Sequence, residues 1–294
     1  MKVNTTYEPF SQQPEYIETN RGFIRSLPLD SVTKVLDLAC GTGTLTELLF
    51  EVRPDFSVIG IDISSVSLEI GRKLFREQNR LVSTLEQLQS AQAAGKGGVL
   101  MLEGSADEVP LASESMDLVI MGNAIHLLPD KDKLVSEAYR VLRPGGHFAF
   151  NSSFYIGTYP EGTEYVYTEW VKEAVGFITE KDEEDKRAGG TGIKRQRGTR
   201  QTAFNKGWMS PQQWQEVLER NNFIPEKQEI RTMMMNQESF ETVGAYAGFS
   251  EVMMSGYPLE IGSEALQEGA KRAFQKLNIV TVPRFYLEMT GRKP

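Results

Sequence analysis

Val35-Leu36-Asp37-Leu38-Ala39-Cys40-Gly41-Thr42-Gly43-Thr44 is an apolar run that stops at two closely spaced glycines, after which apolar residues resume at Leu45, Leu48 and Leu49. That order reads as strand, tight turn, helix. Nineteen residues after Gly43, Asp62 closes a second apolar run, Val58-Ile59-Gly60-Ile61. Gly41 and Gly43 let backbone N–H groups approach a ligand with no Cβ in the way, and a helix starting near Thr44 offers its unpaired N–H groups and positive dipole end. Such a turn suits a carboxylate or a phosphate. An acidic side chain at the end of the second strand can accept hydrogen bonds from both hydroxyls of a ribose. Together the two stretches specify an adenosine-type ligand.

A dinucleotide fingerprint asks for a third small residue after Gly-x-Gly-x-x, where this chain has Thr46, and no Tyr is followed four residues later by Lys. Hydride transfer therefore fits less well. The pattern Asp37-x-Ala39-Cys40-Gly41-Thr42-Gly43 resembles the first motif of class I S-adenosylmethionine-dependent methyltransferases, with Ala39 where many members have a further Gly. The resemblance continues in order. Gly104-Ser105-Ala106-Asp107-Glu108-Val109-Pro110-Leu111 looks like the family segment whose acidic residue, here Asp107, bonds the adenine amino group. The stretch from Met116 to His126 looks like the strand whose end contacts the methionine half of the cofactor. Tyr139-Arg140-Val141-Leu142-Arg143-Pro144-Gly145-Gly146-His147-Phe148 looks like the helix end, Pro-Gly-Gly turn and fifth strand. The match covers residues 33 to 152, about two fifths of the chain, and belongs to the part that binds cofactor rather than substrate.

The resemblance implies an α/β fold: a Rossmann-like, doubly wound, mostly parallel seven-stranded sheet with an antiparallel last strand, plus helical cap insertions. It implies S-adenosylmethionine as cofactor, held by Asp37, Ala39, Gly41, Gly43, Asp62, Ile63, Ala106, Asp107 and Asn123. The expected organisation is an N-terminal helical cap at 1–30, the cofactor-binding core at 31–152, a lid insertion at 153–209 and a C-terminal part of the sheet at 210–294, in one compact domain.

The 294 residues, 40% hydrophobic and 24% charged, leave ample core for such a domain. Apolar stretches are too short for a membrane span, and the start of the chain turns polar at once, so no leader is expected. One cysteine allows no internal disulfide, which fits a cytoplasmic protein. A net charge of −8 disfavours nucleic acid as partner, since phosphate neutralisation needs clustered cations. Lys186, Arg187, Lys194, Arg195, Arg197, Arg200 and Lys206 do gather beside the acidic run 180–185. They read either as a solvated loop whose charges neutralise each other or as a lid over an anionic substrate. Oligomeric state is not legible.

Further along, residues 1–30 allow a short helix before the first strand, and residues 65–94 read as two helices with Leu81, Leu85 and Leu88 on one face. Ser210-Pro211 opens a helix with Trp214, Val217 and Leu218 inward, and Phe240 to Leu277 form a second insertion. The last strand runs from Thr281 to Met289, with Pro283 marking an edge position or a bend at its start. In the family the acceptor pocket is built from the N-terminal cap and the insertions after the fifth and sixth strands. That places the acceptor among Tyr7, Tyr16, Phe154, Tyr155, Trp170 and Met233 to Met235, with Met234 chosen from the triplet. The same aromatics also serve as core. As a group they indicate a small, largely apolar acceptor.

A sulfonium methyl is already activated, so positioning dominates the chemistry. If the acceptor is a phenol or an enolisable carbon, His126 is the candidate base, the alternative being a cap or packing role. His147 falls at the far end of the fifth strand. Two histidines and one cysteine in no ligand spacing give no metal site, and Cys40 reads as a buried filler. Asp37 either holds the cofactor amino group or orients the loop. The rival functions are an NAD(P)-dependent oxidoreductase on a related sheet and a non-catalytic S-adenosylmethionine-binding module.

Overall fold

A computed structural model describes residues 3–196 and 208–294; Arg197, Arg200 and Lys206 of the basic stretch lie outside them. The strands are β1 (Lys34–Leu38), β2 (Ser57–Asp62), β3 (Gly98–Glu103), β4 (Met116–Gly122), β5 (Leu142–Ser152), β6 (Ile224–Asn236) and β7 (Thr281–Arg292). They form one sheet in the order β3-β2-β1-β4-β5-β7-β6. The pairs β1–β2, β2–β3, β1–β4 and β4–β5 are parallel, and β5–β7 is antiparallel. This is the doubly wound, mostly parallel sheet with an antiparallel last strand that the sequence led us to expect.

The chain forms two compact units. The larger comprises Tyr16–Ile156, Trp208–Arg231 and Tyr286–Pro294, and the other Met1–Glu15, Gly157–Gly207 and Thr232–Phe285. In the larger unit, β1, β2 and β4 are buried along almost their whole length, which is why they read as unbroken apolar runs. Helices α2 (Pro14–Arg25), α3 (Thr44–Val52), α4 (Ser65–Glu77), α5 (Leu85–Ala93), α6 (Lys131–Val141) and α8 (Pro211–Arg220) flank this sheet. One face of the sheet packs Val35, Val58, Val99, Leu118 and Ile120 into a common core with Ile24, Leu45, Leu49, Leu68 and Phe75. At the amino end of β1, the buried carboxylate of Asp117 accepts from the Thr33 and Lys34 N–H groups and pairs with Arg143 at 3.1 Å.

The other unit holds α1 (Glu8–Ser11), α7 (Glu164–Arg187), α9 (Gln237–Ala245), α10 (Ala247–Met253) and α11 (Leu259–Leu277). Its core is aromatic. Trp170 stacks on Phe249 at 5.6 Å between centroids, and Phe240 meets Trp170 and Phe274 edge-on.

Several expectations change in detail. Residues 65–94 do form two helices, but Leu81 lies between them in a short bridge to Val99, Leu85 is exposed and only Leu88 is buried. Pro283 is not on an edge strand, because β7 lies between β5 and β6; it precedes the stretch from Leu287 that pairs with β5, so it marks the start of the strand. Pro144, Gly145 and Gly146 bulge out of β5, whose partners jump from Met116↔Leu142 to Leu118↔His147. Strand β6 carries Glu, Lys, Gln and Arg along much of its length and shows no apolar alternation, so it gave no sequence signal.

Candidate active site

The chain order reverses between β1, which leads outward to β2 and β3, and β4, which leads the other way to β5. Ligands of doubly wound sheets bind outside the carboxyl ends of the strands at that reversal. Asp37, Asp62, Asn123 and His126 all lie at or just beyond these ends, within the larger unit.

The turn after β1 has φ of +52° at Ala39, +56° at Gly41 and +91° at Gly43. A Cβ at Gly43 would lie 2.5 Å from the Phe75 ring, so both its backbone and its packing demand glycine. At Gly41 a Cβ would meet nothing within 4 Å, so the backbone there faces open space. Helix α3 begins on Gly43 with no side-chain cap, whereas α4, α6 and α8 are capped by Ser64, Asp130 and Ser210. The start of α3 thus carries no N-cap side chain, and its third N–H, that of Thr46, goes to Asp37.

Asp37 is fully buried beneath this turn and accepts a hydrogen bond from Thr46 Oγ1 at 2.8 Å. Burial pushes its carboxyl up to about 7, against the pull of the Thr46 bond and with a contribution from Asp62. Thr46, which breaks the dinucleotide pattern, is therefore the partner of the motif's own acid. Its hydroxyl gave no signal in the sequence beyond that mismatch. Asp62 accepts from Gly41 N–H at 2.7 Å and from Ser64 N–H at 2.8 Å, which locks the first turn to the second while leaving acceptor capacity on both oxygens. Ile63, next in the chain, is 77% exposed. Gly104 N–H donates to Asp62 O, bringing the 104–107 loop alongside; there Ala106 is buried and Asp107 accepts from Ser105 and pairs with Lys133 at 3.2 Å. The Ser105 bond first, then Lys133, hold the Asp107 carboxyl below its ordinary range.

At the ends of β4 and β5 lies a buried amide chain. Asn123, at φ +45°, accepts from Ser153 N–H and Oγ, and its own N–H donates to Asn151 Oδ1 at 2.9 Å. Asn151 donates to Asn20 Oδ1 at 2.9 Å, and Asn20 in turn to Tyr16 O at 2.8 Å. His126 lies in a 3-10 turn, Ile125–Leu127, buried, with its ring 4.0 Å from that of Phe154 and Nδ1 3.3 Å from Ser152 Oγ. Tyr155, next to Phe154 in sequence, is buried, and Tyr16 packs edge-on to Tyr286. Asn151, Ser152 and Ser153 at the end of β5, and Asn20 on the buried side of α2, were not singled out in the sequence, because a lone buried polar residue carries no periodic signature.

The remaining acceptor candidates belong to the other unit. Tyr7 contacts Phe10 and Tyr246, and Trp170 donates Nε1 to Leu266 O at 2.7 Å within the core. Met234 is half exposed while Met233 and Met235 point inward. His147 pairs with Glu226 at 3.1 Å, and Cys40 is buried. Among the described residues, no group of His, Cys, Asp or Glu is arranged to hold a metal ion, and no helix is long and apolar enough to cross a membrane.

Residues 29–222 match the family model of a methyltransferase domain. A demethylmenaquinone methyltransferase of Symbiobacterium thermophilum is 32% identical over 151 residues, covering 50% of this chain and 54% of its own. One from Lactobacillus johnsonii is 34% identical over 125 residues, covering 42% and 45%. The chain thus spans about half the length of the curated relatives it matches. Among solved structures, the YcgJ protein of Bacillus subtilis superposes with a TM-score of 0.52 at 16% identity, covering 94% of this chain and 98% of that one. The [4+2]-cyclase SpnF gives 0.53 at 16%, covering 95% and 82%. With two thirds of its length inside the family model, and the glycine turn, paired acids and strand order in place, the chain belongs to the methyltransferase-domain family and has the class I S-adenosylmethionine-dependent fold.

Proposed function

We propose that this protein transfers a methyl group from S-adenosylmethionine to an oxygen, nitrogen or carbon nucleophile of a small, largely apolar metabolite by in-line displacement. The observation that carries this reading is the open backbone at Gly41, set between the buried carboxylate of Asp37 and the strand-end carboxylate of Asp62. That donor set fits a zwitterionic amino acid joined to a nucleoside. The glycine turn and the positive end of α3 receive the carboxylate, Asp37 the ammonium, Asp62 the ribose hydroxyls and Asp107 the adenine amino group, with Ile63 and Ala106 against the base. Ala39 and Gly43 shape the turn, and Asn123 fixes the backbone beside the methionine half. A pyrophosphate would meet Asp37 as a second acceptor, which disfavours the dinucleotide reading.

The cofactor supplies an activated methyl; the chain supplies alignment, exclusion of water and removal of the acceptor's proton. His126 is the base of this proposal, because it is the imidazole in the turn directly after β4 and is oriented by Ser152 and Phe154. Phe154 and Tyr155 are the acceptor contacts nearest to it in the chain. The name of the curated relatives supports a small-molecule acceptor, the net charge of −8 argues against nucleic acid, and the single cysteine fits a cytoplasmic setting.

SpnF supports a second reading, in which the fold binds its nucleotide without transferring a methyl group, since a cyclase shares this architecture. Calorimetric titration with S-adenosylmethionine, S-adenosylhomocysteine and NADH, followed by a labelled-methyl acceptor screen, separates the readings. Binding of the two sulfur nucleotides alone, weakened roughly ten- to hundredfold in Asp62→Ala, is the expected result. Binding of NADH alone would overturn it.

A further inference from the structure

Lys131 opens α6 directly after the turn that carries His126. Its Nζ donates to the carbonyl oxygens of Ile125 at 2.9 Å, His126 at 3.0 Å and Leu128, all in that one turn. An ammonium has three N–H groups, so the whole donor capacity of the side chain goes to a single stretch of backbone. Three features make this a costly place for a cation. It is half-buried near the Trp214 ring, 6.0 Å from its centroid, and burial pushes the amine down to about 8. It lies in the first turn of a helix, where the macrodipole repels positive charge. Among the described residues it forms no ion pair. A neutral side chain of similar length would avoid all three costs.

We propose that Lys131 is a positioning residue for methyl transfer: its ammonium clamps the turn Ile125–Leu127 so that the His126 ring is held against Phe154 and Ser152 at the ends of β4 and β5. This rests on the reading of that turn as part of the methyl-transfer centre. Without the clamp, three carbonyls lose their donor and the turn is tied down only through its neighbours. The imidazole then samples other orientations, while Gly41, Asp37 and Asp62 keep their own hydrogen bonds.

The chain has two histidines, so its imidazole spectrum holds two side chains, and His147→Gln assigns the other. In the full chain, Lys131→Met should shift the His126 ring 1H–15N correlations toward those of a mobile imidazole with mixed tautomers. Those of His147 should stay in place, and S-adenosylhomocysteine affinity should stay within about twofold. His126 correlations that superpose on the unsubstituted protein's would overturn the clamp. If the methionine variant does not fold, the unsubstituted protein still decides. Lys131 should give a slowly exchanging lysine ammonium signal at pH 6, lost in Lys131→Arg, and absence of that signal overturns the proposal. Failure of the nucleotide to bind the unsubstituted protein would instead strike the functional reading and leave the His126 comparison standing.

Discussion

Asp37 shows how one side chain can make the site and weaken the fold. Its carboxyl has an ordinary value near 4 in an unfolded chain and is raised to about 7 in the folded one. Between those values the folded state binds the extra proton, so stability falls as pH rises from about 4 to about 7 and levels off above. Asp37→Asn should remove that slope, read as thermal midpoints across the pH series, and should weaken S-adenosylmethionine about tenfold or more at pH 8 by removing the carboxylate that meets the ammonium. An unchanged slope would mean that another group titrates. For the unsubstituted protein, cofactor affinity should rise with pH through the same range. His126→Ala should leave S-adenosylhomocysteine affinity nearly intact and lower turnover of a weakly acidic acceptor by about two to four orders of magnitude; full turnover would reduce His126 to packing. The acids were legible in the sequence because strand-end carboxylates follow apolar runs. Thr46 was not, because a hydroxyl that serves an acid nine residues away leaves only an apparent mismatch in a glycine pattern.

At the scale of elements, the parallel strands β1, β2 and β4 were legible because burial on both faces demands continuous apolar runs, and α8 because Ser210-Pro211 marks its start and Trp214, Val217 and Leu218 its inner face. Strand β6 was not. Its outer position lets Glu226, Lys227, Glu229 and Arg231 stand on a strand whose pairing comes from the backbone, with Arg231 bound to the buried Glu288 of β7. The ends of β4 and β5 are joined by amides rather than by apolar contact. Asn151→Ala should therefore take the amide donor from Asn20 Oδ1 and leave the Asn123 N–H with the Asn151 main-chain carbonyl alone, at a cost of about 1–3 kcal/mol in denaturant unfolding. A loss under about 0.5 kcal/mol would mean that water replaces the amide at little cost.

For the whole molecule, every cofactor residue proposed here lies in the larger unit, assembled from three separate stretches of chain. Ligand binding should thus stabilise that assembly by mass action: S-adenosylhomocysteine at a hundred times its Kd is worth about 2.7 kcal/mol, visible as a rise of several degrees in Tm, and NADH at the same concentration should give none. Of the five passages from one unit to the other, those inside β6 and β7 left no trace in the sequence, because nothing in the composition of a continuous strand marks a boundary. The placing of β7 between β5 and β6 bears on how the protein is made. During synthesis β6 emerges first but has no neighbour to join, and the edge of β5 stays bare until β7 leaves the ribosome and inserts between them. Up to that moment the nascent chain presents two open strand edges, which makes this interval the one in which chaperones would matter most.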